Sequence, residues 1–198
     1  LEPNRTERDK MLAGDLYLGF DPELVAARRR ARVLMAEYNA SGPDEEGKRE
    51  QLLRRLIGTV GSGVVIEPPF SCDYGEFIEL GEGVYLNFHC IFLDCNWIRV
   101  GARTMFGPAV QVYTATHPVS AVERRKGPEM AYPVTIGSDV WVGGGAIICP
   151  GVTIGDGSTI GAGSIVTKDV PPNVLAAGNP CRVIRELSGE NVSGASAS

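Results

Sequence analysis

The chain has 198 residues, 43% hydrophobic and 22% charged, with a formal net charge of −5; that is the profile of one globular domain long enough to bury a core. The acidic balance offers no footprint for nucleic acid or an anionic membrane, and no run of 18 apolar residues reaches the length of a bilayer span. Leu1–Lys10 is too polar for a secretory leader, and the five cysteines (72, 90, 95, 149 and 181) are odd in number, fit no metal-ligand spacing and contain no CxxC, so reduced thiols, no metal and a cytoplasmic location are expected.

Residues 1–60 hold 11 Lys/Arg and 11 Asp/Glu, about half of the charge in the chain. This part reads as a helical subdomain. A short helix is predicted over Thr6–Ala13. Asp21 followed by Pro22 is an N-cap with proline at the first helical position. Leu24, Ala27, Ala31, Leu34, Met35 and Tyr38 then form one apolar stripe, ended by Asn39–Pro43. A third helix runs over about Asp44–Ile57, with Leu52, Leu53, Leu56 and Ile57 as its apolar face. The run Arg28-Arg29-Arg30 reads as a solvated face rather than a phosphate patch, because acidic residues balance it locally.

Near Thr59–Gly63 the composition changes to Gly, Val, Ile and Thr, and an internal repeat begins. Aliphatic or aromatic residues recur every sixth position at Val100, Phe106 and Val112, then from Ile136 through Val142, Ile148, Ile154 and Ile160 to Val166. Small or β-branched residues stand two positions before each, from Ile98 to Ser164. Glycine follows at 101, 107, 137, 143, 155 and 161. Leu80 and Leu86 keep the same step two residues out of phase. A period of six fits neither a helix nor a simple alternating strand. It fits a short strand, a turn where glycine supplies positive φ, and another strand, with three such units closing a triangular coil. The expected fold is mainly β: a left-handed parallel β-helix of hexapeptide repeats over 61–187, with an N-terminal α-helical cap over 1–60, a loop excursion at 115–133, and a flexible tail at 188–198.

The glycine-rich stretches Gly143-Gly144-Gly145, Gly155-Asp156-Gly157 and Gly161-Ala162-Gly163 lack the rest of a nucleotide fingerprint, and GxSxG is absent. Histidine occurs twice. His89, beside Asn87, reads as packing. His117 stands at the root of the aperiodic segment, before Pro118, and two readings stay open for it: a structural imidazole, or a general base, the role for which histidine is the side chain most often used. Asn87 alone reads equally well as a turn residue or a ladder inside the coil. Only eight Lys/Arg follow residue 60, three of them Lys168, Arg182 and Arg185 near its end; solubility and phosphate binding account for them equally.

Cys72-Asp73-Tyr74-Gly75, Asn87-Phe88, Leu93-Asp94, Tyr113-Thr114-Ala115-Thr116-His117-Pro118, Asp139-Val140-Trp141-Val142-Gly143-Gly144 and Gly178-Asn179-Pro180 together resemble the maltose and galactoside O-acetyltransferases and the nodulation-type acetyltransferases, from Met11 to about Leu187. The resemblance implies direct transfer of acetyl from acetyl-CoA, as co-substrate, to a sugar hydroxyl, in a homotrimer with active sites between subunits. It makes His117 the general base and Asn87 a stabiliser of charge developing in the transition state. It places coenzyme contacts at Gly144, Ala162, Thr167, Lys168, Arg182 and Arg185, with Trp141 either walling the same groove or packed in the core. Acceptor contacts fall on Asp73, Asn87 and Cys95. An acidic residue that lines the galactoside site falls on Gly19 here, flanked by Asp15 and Asp21, and the second of two adjacent acids falls on Cys95, leaving Asp94 alone; those departures bear on the choice of sugar.

Three rivals are weaker. A γ-type carbonic anhydrase needs three zinc-binding histidines, and the chain has two. An acetyltransferase for an antibiotic or for serine would share the coil but not the helical cap. A non-catalytic or ice-binding scaffold would not interrupt its face with a loop.

Overall fold

A computed structural model describes residues 5–187; the tail expected at 188–198 lies outside the described residues. Helix α1 (Glu7–Ala13) starts in a capping box. The Thr6 hydroxyl accepts from the Asp9 backbone N–H at 3.1 Å, while the Asp9 carboxylate accepts from the Thr6 N–H at 2.9 Å. Helix α2 (Pro22–Asn39) is capped by Asp21, as its sequence predicts, and α3 spans Glu46–Leu56. The apolar faces of α2 and α3 close the N-terminal end of the coil: Ala31, Leu34, Tyr38, Leu52, Leu53 and Leu56 share one core with Ile66 and Phe70. Asn39 fastens the lid, with its side chain donating to the Phe70 carbonyl at 2.8 Å and accepting from the Phe70 N–H at 2.9 Å. A solenoid end exposes apolar cross-section, and a cap removes it from water.

The coil presents three parallel faces. The first face stacks Thr59–Val60, Ile78–Leu80, Ile98–Val100, Val134–Ile136 and Thr153–Ile154. The second stacks Ser71–Cys72, Ile91–Leu93, Gln111–Tyr113, Ile147–Ile148 and Ile165–Val166. The third runs from Val65–Ile66 through Tyr85–Leu86, Met105–Phe106, Trp141–Val142 and Thr159–Ile160 to Val174–Gly178, where Cys181–Glu186 returns antiparallel. The sixth-position residues and their partners two before them are all buried, from Val100 to Val166 and from Ile98 to Ser164.

The two-residue phase slip has a spatial explanation. Val60 pairs with Leu80, Leu80 with Val100, and Val100 with Ile136, so these strands are in register. The added residues fall at one corner, where the chain leaves the second face. That corner bulges at 73–77 and 93–97 and opens into the excursion after Tyr113. The excursion is not structureless: Ala115–Thr116 pairs antiparallel with Pro128–Ala131, which pairs on its other side with Tyr17–Leu18 of the cap, and a short helix, α4 (Ala121–Arg124), crosses the tip.

The role expected of the glycines after each aliphatic residue is corrected. None of the glycines at 101, 107, 137, 143, 155 or 161 has positive φ; that conformation occurs two residues later, at Arg103, Ala109, Asp139, Gly145, Gly157 and Gly163. What the first set supplies is clearance. A Cβ on Gly107 would stand 2.5 Å from the Gly144 nitrogen, and one on Gly143 would stand 2.5 Å from the Ala162 nitrogen. His89 is likewise not packed: it occupies such a turn position, with φ 63°, and is exposed. Trp141 points outward from the third face and is 54% exposed, so the core reading of it falls. Arg28 is less solvated than its run implied, since it donates to the Tyr74 hydroxyl at 2.6 Å and to the Gly19 carbonyl.

Candidate functional site

Most of the residues singled out in the sequence lie along the two edges of the second face; Trp141 is on the third face, and Arg182 and Arg185 are on the strand that returns beside it. One edge precedes its strands. There the backbone N–H groups of Asn87, Gly107, Gly143 and Gly161 donate in turn to the carbonyls of Phe106, Val142, Ile160 and Ala176, at 2.7–3.0 Å. Asn87 therefore stands in a column that begins at Glu67, whose N–H donates to the Leu86 carbonyl at 2.8 Å, and that continues beyond Asn87 as glycine, with Gly144 and Ala162 one residue further along their own coils. The Asn87 Oδ1 accepts from the Phe88 N–H at 2.7 Å. Its Nδ2 has no acceptor among the described residues, which leaves a free donor above a strip of bare backbone. The small size of Gly144 has a cause inside the chain as well: a Cβ there would press on Pro108 at 3.1 Å.

The other edge follows the strands and is the lengthened corner. Asp73, Asp94–Cys95 and Thr114–His117 leave successive coils here, with Thr167 and Lys168 leaving further down. His117 is exposed, and its ring makes no hydrogen bond among the described residues. Asp73 and Cys95 are in contact, the thiol donating to Asp73 Oδ2 at 3.3 Å. Burial pushes the Asp73 carboxyl up from its ordinary value, and the Cys95 contact partly offsets that. Burial also pushes the Cys95 thiol up, with the Asp73 charge adding to it, so Cys95 is a neutral donor rather than a nucleophile.

Asp94 does structural work instead. Fully buried, it accepts from the backbone N–H groups of Asp73, Tyr74 and Phe77 at 3.0, 2.9 and 3.3 Å, tying two bulged corners together. Burial pushes its carboxyl up to about 8, against the pull of those N–H donors.

Lys168 and Arg182 line one cavity of about 240 Å³ with Asp169, Val170 and Cys181. Arg182 and Arg185 are three apart, a spacing that would put them on opposite faces of a regular strand. A bulge restores them to one side: Arg182 pairs with Ala177 and Arg185 with Leu175, with the register shifted between. Asn87 is not in hydrogen-bond contact with Asp73, Cys95 or His117; a strand such as Ile91–Leu93 separates its edge from theirs, about 10 Å at ~3.3 Å per residue. Among the described residues, no group of three His, Cys, Asp or Glu side chains is gathered as a metal ion would require.

Three residues at this corner carry no local signal in the sequence. Asn96 is buried, and its Nδ2 donates to the carbonyls of Met11, Leu12 and Ala131 at 2.9–3.2 Å, joining α1 and the excursion to the coil. Tyr17 is buried and donates to Glu129 Oε2 at 2.9 Å; burial pushes its hydroxyl far up. Glu129 itself covers Gly19, where the family pattern had placed an acid. The flanking Asp15 and Asp21 are engaged elsewhere, Asp15 with Arg5 at 2.6 Å and Asp21 as the cap of α2. Only the antiparallel register of Tyr17–Leu18 on Pro128–Ala131 reveals this group, and no local periodicity carries that information.

Comparison with known proteins places the chain. Residues 10–61 match the family model described as the maltose acetyltransferase hexapeptide capping motif, and residues 133–168 match the bacterial transferase hexapeptide (six repeats). Nodulation protein L of Rhizobium meliloti (strain 1021) is 49% identical over 179 residues, covering 90% of this chain and 98% of that protein. The crystal structure of a maltose O-acetyltransferase from Clostridium difficile 630 superposes with a TM-score of 0.93 at 48% identity, covering 94% and 100% of the two chains. A galactoside acetyltransferase in complex with coenzyme A gives 0.91 at 43% identity, covering 93% and 92%.

Proposed function

The chain belongs to the hexapeptide-repeat acetyltransferases that include the maltose and galactoside O-acetyltransferases and nodulation protein L, and from that premise we propose that it transfers acetyl from acetyl-CoA to a hydroxyl of a neutral sugar with His117 as general base. The observation that carries this reading is the exposed His117 imidazole, without a hydrogen-bond partner among the described residues, on the same corner as the Asp73–Cys95 pair and Lys168.

In the proposed reaction the His117 ring takes the proton of the acceptor hydroxyl as its oxygen attacks the thioester carbonyl carbon. The negative charge that develops on the carbonyl oxygen is met by Asn87 Nδ2. The carbon–sulfur bond then breaks, and the coenzyme thiolate leaves with the proton returned from the imidazolium. Lys168, Arg182 and Arg185 supply positive charge for the coenzyme phosphates, and Thr167, Gly144 and Ala162 flank the path of its pantetheine arm. Cysteines are unpaired throughout the described residues, which fits a reducing cytoplasm.

One chain holds the Asn87 edge and the His117 edge a strand apart, so residues of neighbouring copies complete the site, in a homotrimer. An apolar row on the third face supports such self-association. Val65, Tyr85, Met105 and Trp141 stand in register on neighbouring strands, and Val65, Met105 and Trp141 are 46%, 50% and 54% exposed.

The test is thiol release from acetyl-CoA over a panel of sugars, an aminoglycoside and serine. His117→Ala is expected to lower turnover on the preferred sugar at least a hundredfold, within the ~10²–10⁴ typical of general-base catalysis, while coenzyme affinity by calorimetry stays unchanged. Near-normal turnover in that variant ends the general-base assignment.

A further inference from the structure

The strand pairing Tyr17↔Glu129 brings a cap residue and an excursion residue together over bare backbone. Of the two Glu129 oxygens, Oε2 is held by the Tyr17 hydroxyl at 2.9 Å. Oε1 accepts no hydrogen bond among the described residues, and it lies 2.9 Å from where a Cβ on Gly19 would stand. The carboxylate is half-buried, and no cation lies within ion-pair distance of it among the described residues. The neighbouring Arg28 is turned to Tyr74 and to the Gly19 carbonyl instead.

Behind Tyr17 sits Cys95, whose thiol donates to Asp73 Oδ2 at 3.3 Å, and Asp73 Oδ1 also has no donor among the described residues. Asp73 too makes no ion pair among the described residues. The result is two carboxylates across a neutral phenol–thiol floor, each with one oxygen anchored and one spare. Half-buried carboxylate oxygens without donors are costly, and a ligand that brings hydroxyl groups relieves the cost.

We propose that Glu129 is a specificity-determining residue of the acceptor subsite, its free Oε1 accepting from one sugar hydroxyl while Asp73 Oδ1 accepts from another. The subsite therefore takes neutral polyhydroxyl acceptors and repels anionic ones such as uronates and sugar phosphates. This rests on the sugar acetyltransferase reading above. Gly19 is part of the device: any side chain there would occupy the space of the Glu129 carboxylate. Tyr17 is a positioning residue that acts through Glu129.

The experiment measures kcat and KM of the full-length enzyme for maltose, glucose, a galactoside, glucuronate and glucose 6-phosphate. Glu129→Gln is expected to lower kcat/KM for the neutral sugars about 10- to 100-fold, mostly through the sugar KM, as loss of a charge-assisted hydrogen bond does. The acetyl-CoA KM should stay within twofold, and the ratio of glucuronate to glucose turnover should rise at least tenfold. Gly19→Ala, which displaces the carboxylate without removing it, should shift the sugar KM in the same direction. Unchanged sugar KM and unchanged discrimination against glucuronate in Glu129→Gln overturn the proposal. A wild-type enzyme that acetylates none of the sugars but another member of the wider panel overturns the reading beneath it instead.

Discussion

Two glycines in one turn separate the two explanations for the glycine content of this chain. Gly143 has ordinary φ, but a Cβ there would stand 2.5 Å from the Ala162 nitrogen and 2.9 Å from both the Ala162 Cα and the Ile160 carbonyl oxygen. Ordinary van der Waals contact begins near 3.4 Å, so Gly143→Ala requires the adjacent coils to part by about 1 Å locally. They are pinned by hydrogen bonds from Gly143 N to Ile160 O at 2.7 Å and from Gly163 N to Gly144 O at 2.9 Å. Overpacking strain of ~1–3 kcal/mol plus one weakened hydrogen bond of about 1 kcal/mol puts the cost at roughly 2–4 kcal/mol. Gly145 is the opposite case: φ is +70°, with nothing within 4 Å of a built Cβ. Alanine there meets only the left-handed penalty of ~1–2 kcal/mol, and Ala109 already tolerates the equivalent turn position at φ 57°. Urea unfolding of both variants at one fixed protein concentration, which the proposed trimer requires, should rank Gly143→Ala well above Gly145→Ala in destabilisation. Equal losses, or a larger loss in Gly145→Ala, would refute the clearance argument and restore turn conformation as the reason for glycine.

Asn96→Ala should cost about 3–5 kcal/mol in the same assay. It removes a buried amide that serves three carbonyls and, through Oδ1, the Trp97 N–H at 2.7 Å. Because those carbonyls belong to α1 and the excursion, the surviving activity should show a raised sugar KM and an unchanged acetyl-CoA KM; a loss under 1 kcal/mol would remove Asn96 from its joining role. The raised folded value of Asp94, about 8, means that the native state keeps a proton that the unfolded chain gives up near 4. The penalty is absent below pH ~4, grows as pH rises, and is full above about 8. Asp94→Asn should flatten the fall in unfolding free energy between pH 4 and 8, and a variant with the wild-type slope would show that another group titrates there.

Much of the fold was legible because it is periodic. Each inward aliphatic residue repeats a purely local instruction of strand, turn and strand, and burial of the whole series from Val100 to Val166 follows from it. The cap helices were legible for the same reason, through Thr6, Asp21 and the apolar stripe of α2. Motif resemblance alone singled out His117, Asn87 and the coenzyme-side residues, because no local period marks a side chain for chemistry.

What sequence alone determined, then, is the coil, its cap and the position of the break in the repeat, since hydrophobic period and capping residues act over a few neighbouring positions. Tertiary structure alone decided why glycine follows the aliphatic residues, that the phase slip is a stacked set of lengthened corners, and that Arg182 and Arg185 share a side. It also decided that Tyr17 meets Glu129 over Gly19 and that Cys95 meets Asp73 beside them. These depend on distances between segments up to 112 residues apart, and contact across such a span is set by register and stacking, which no local pattern encodes.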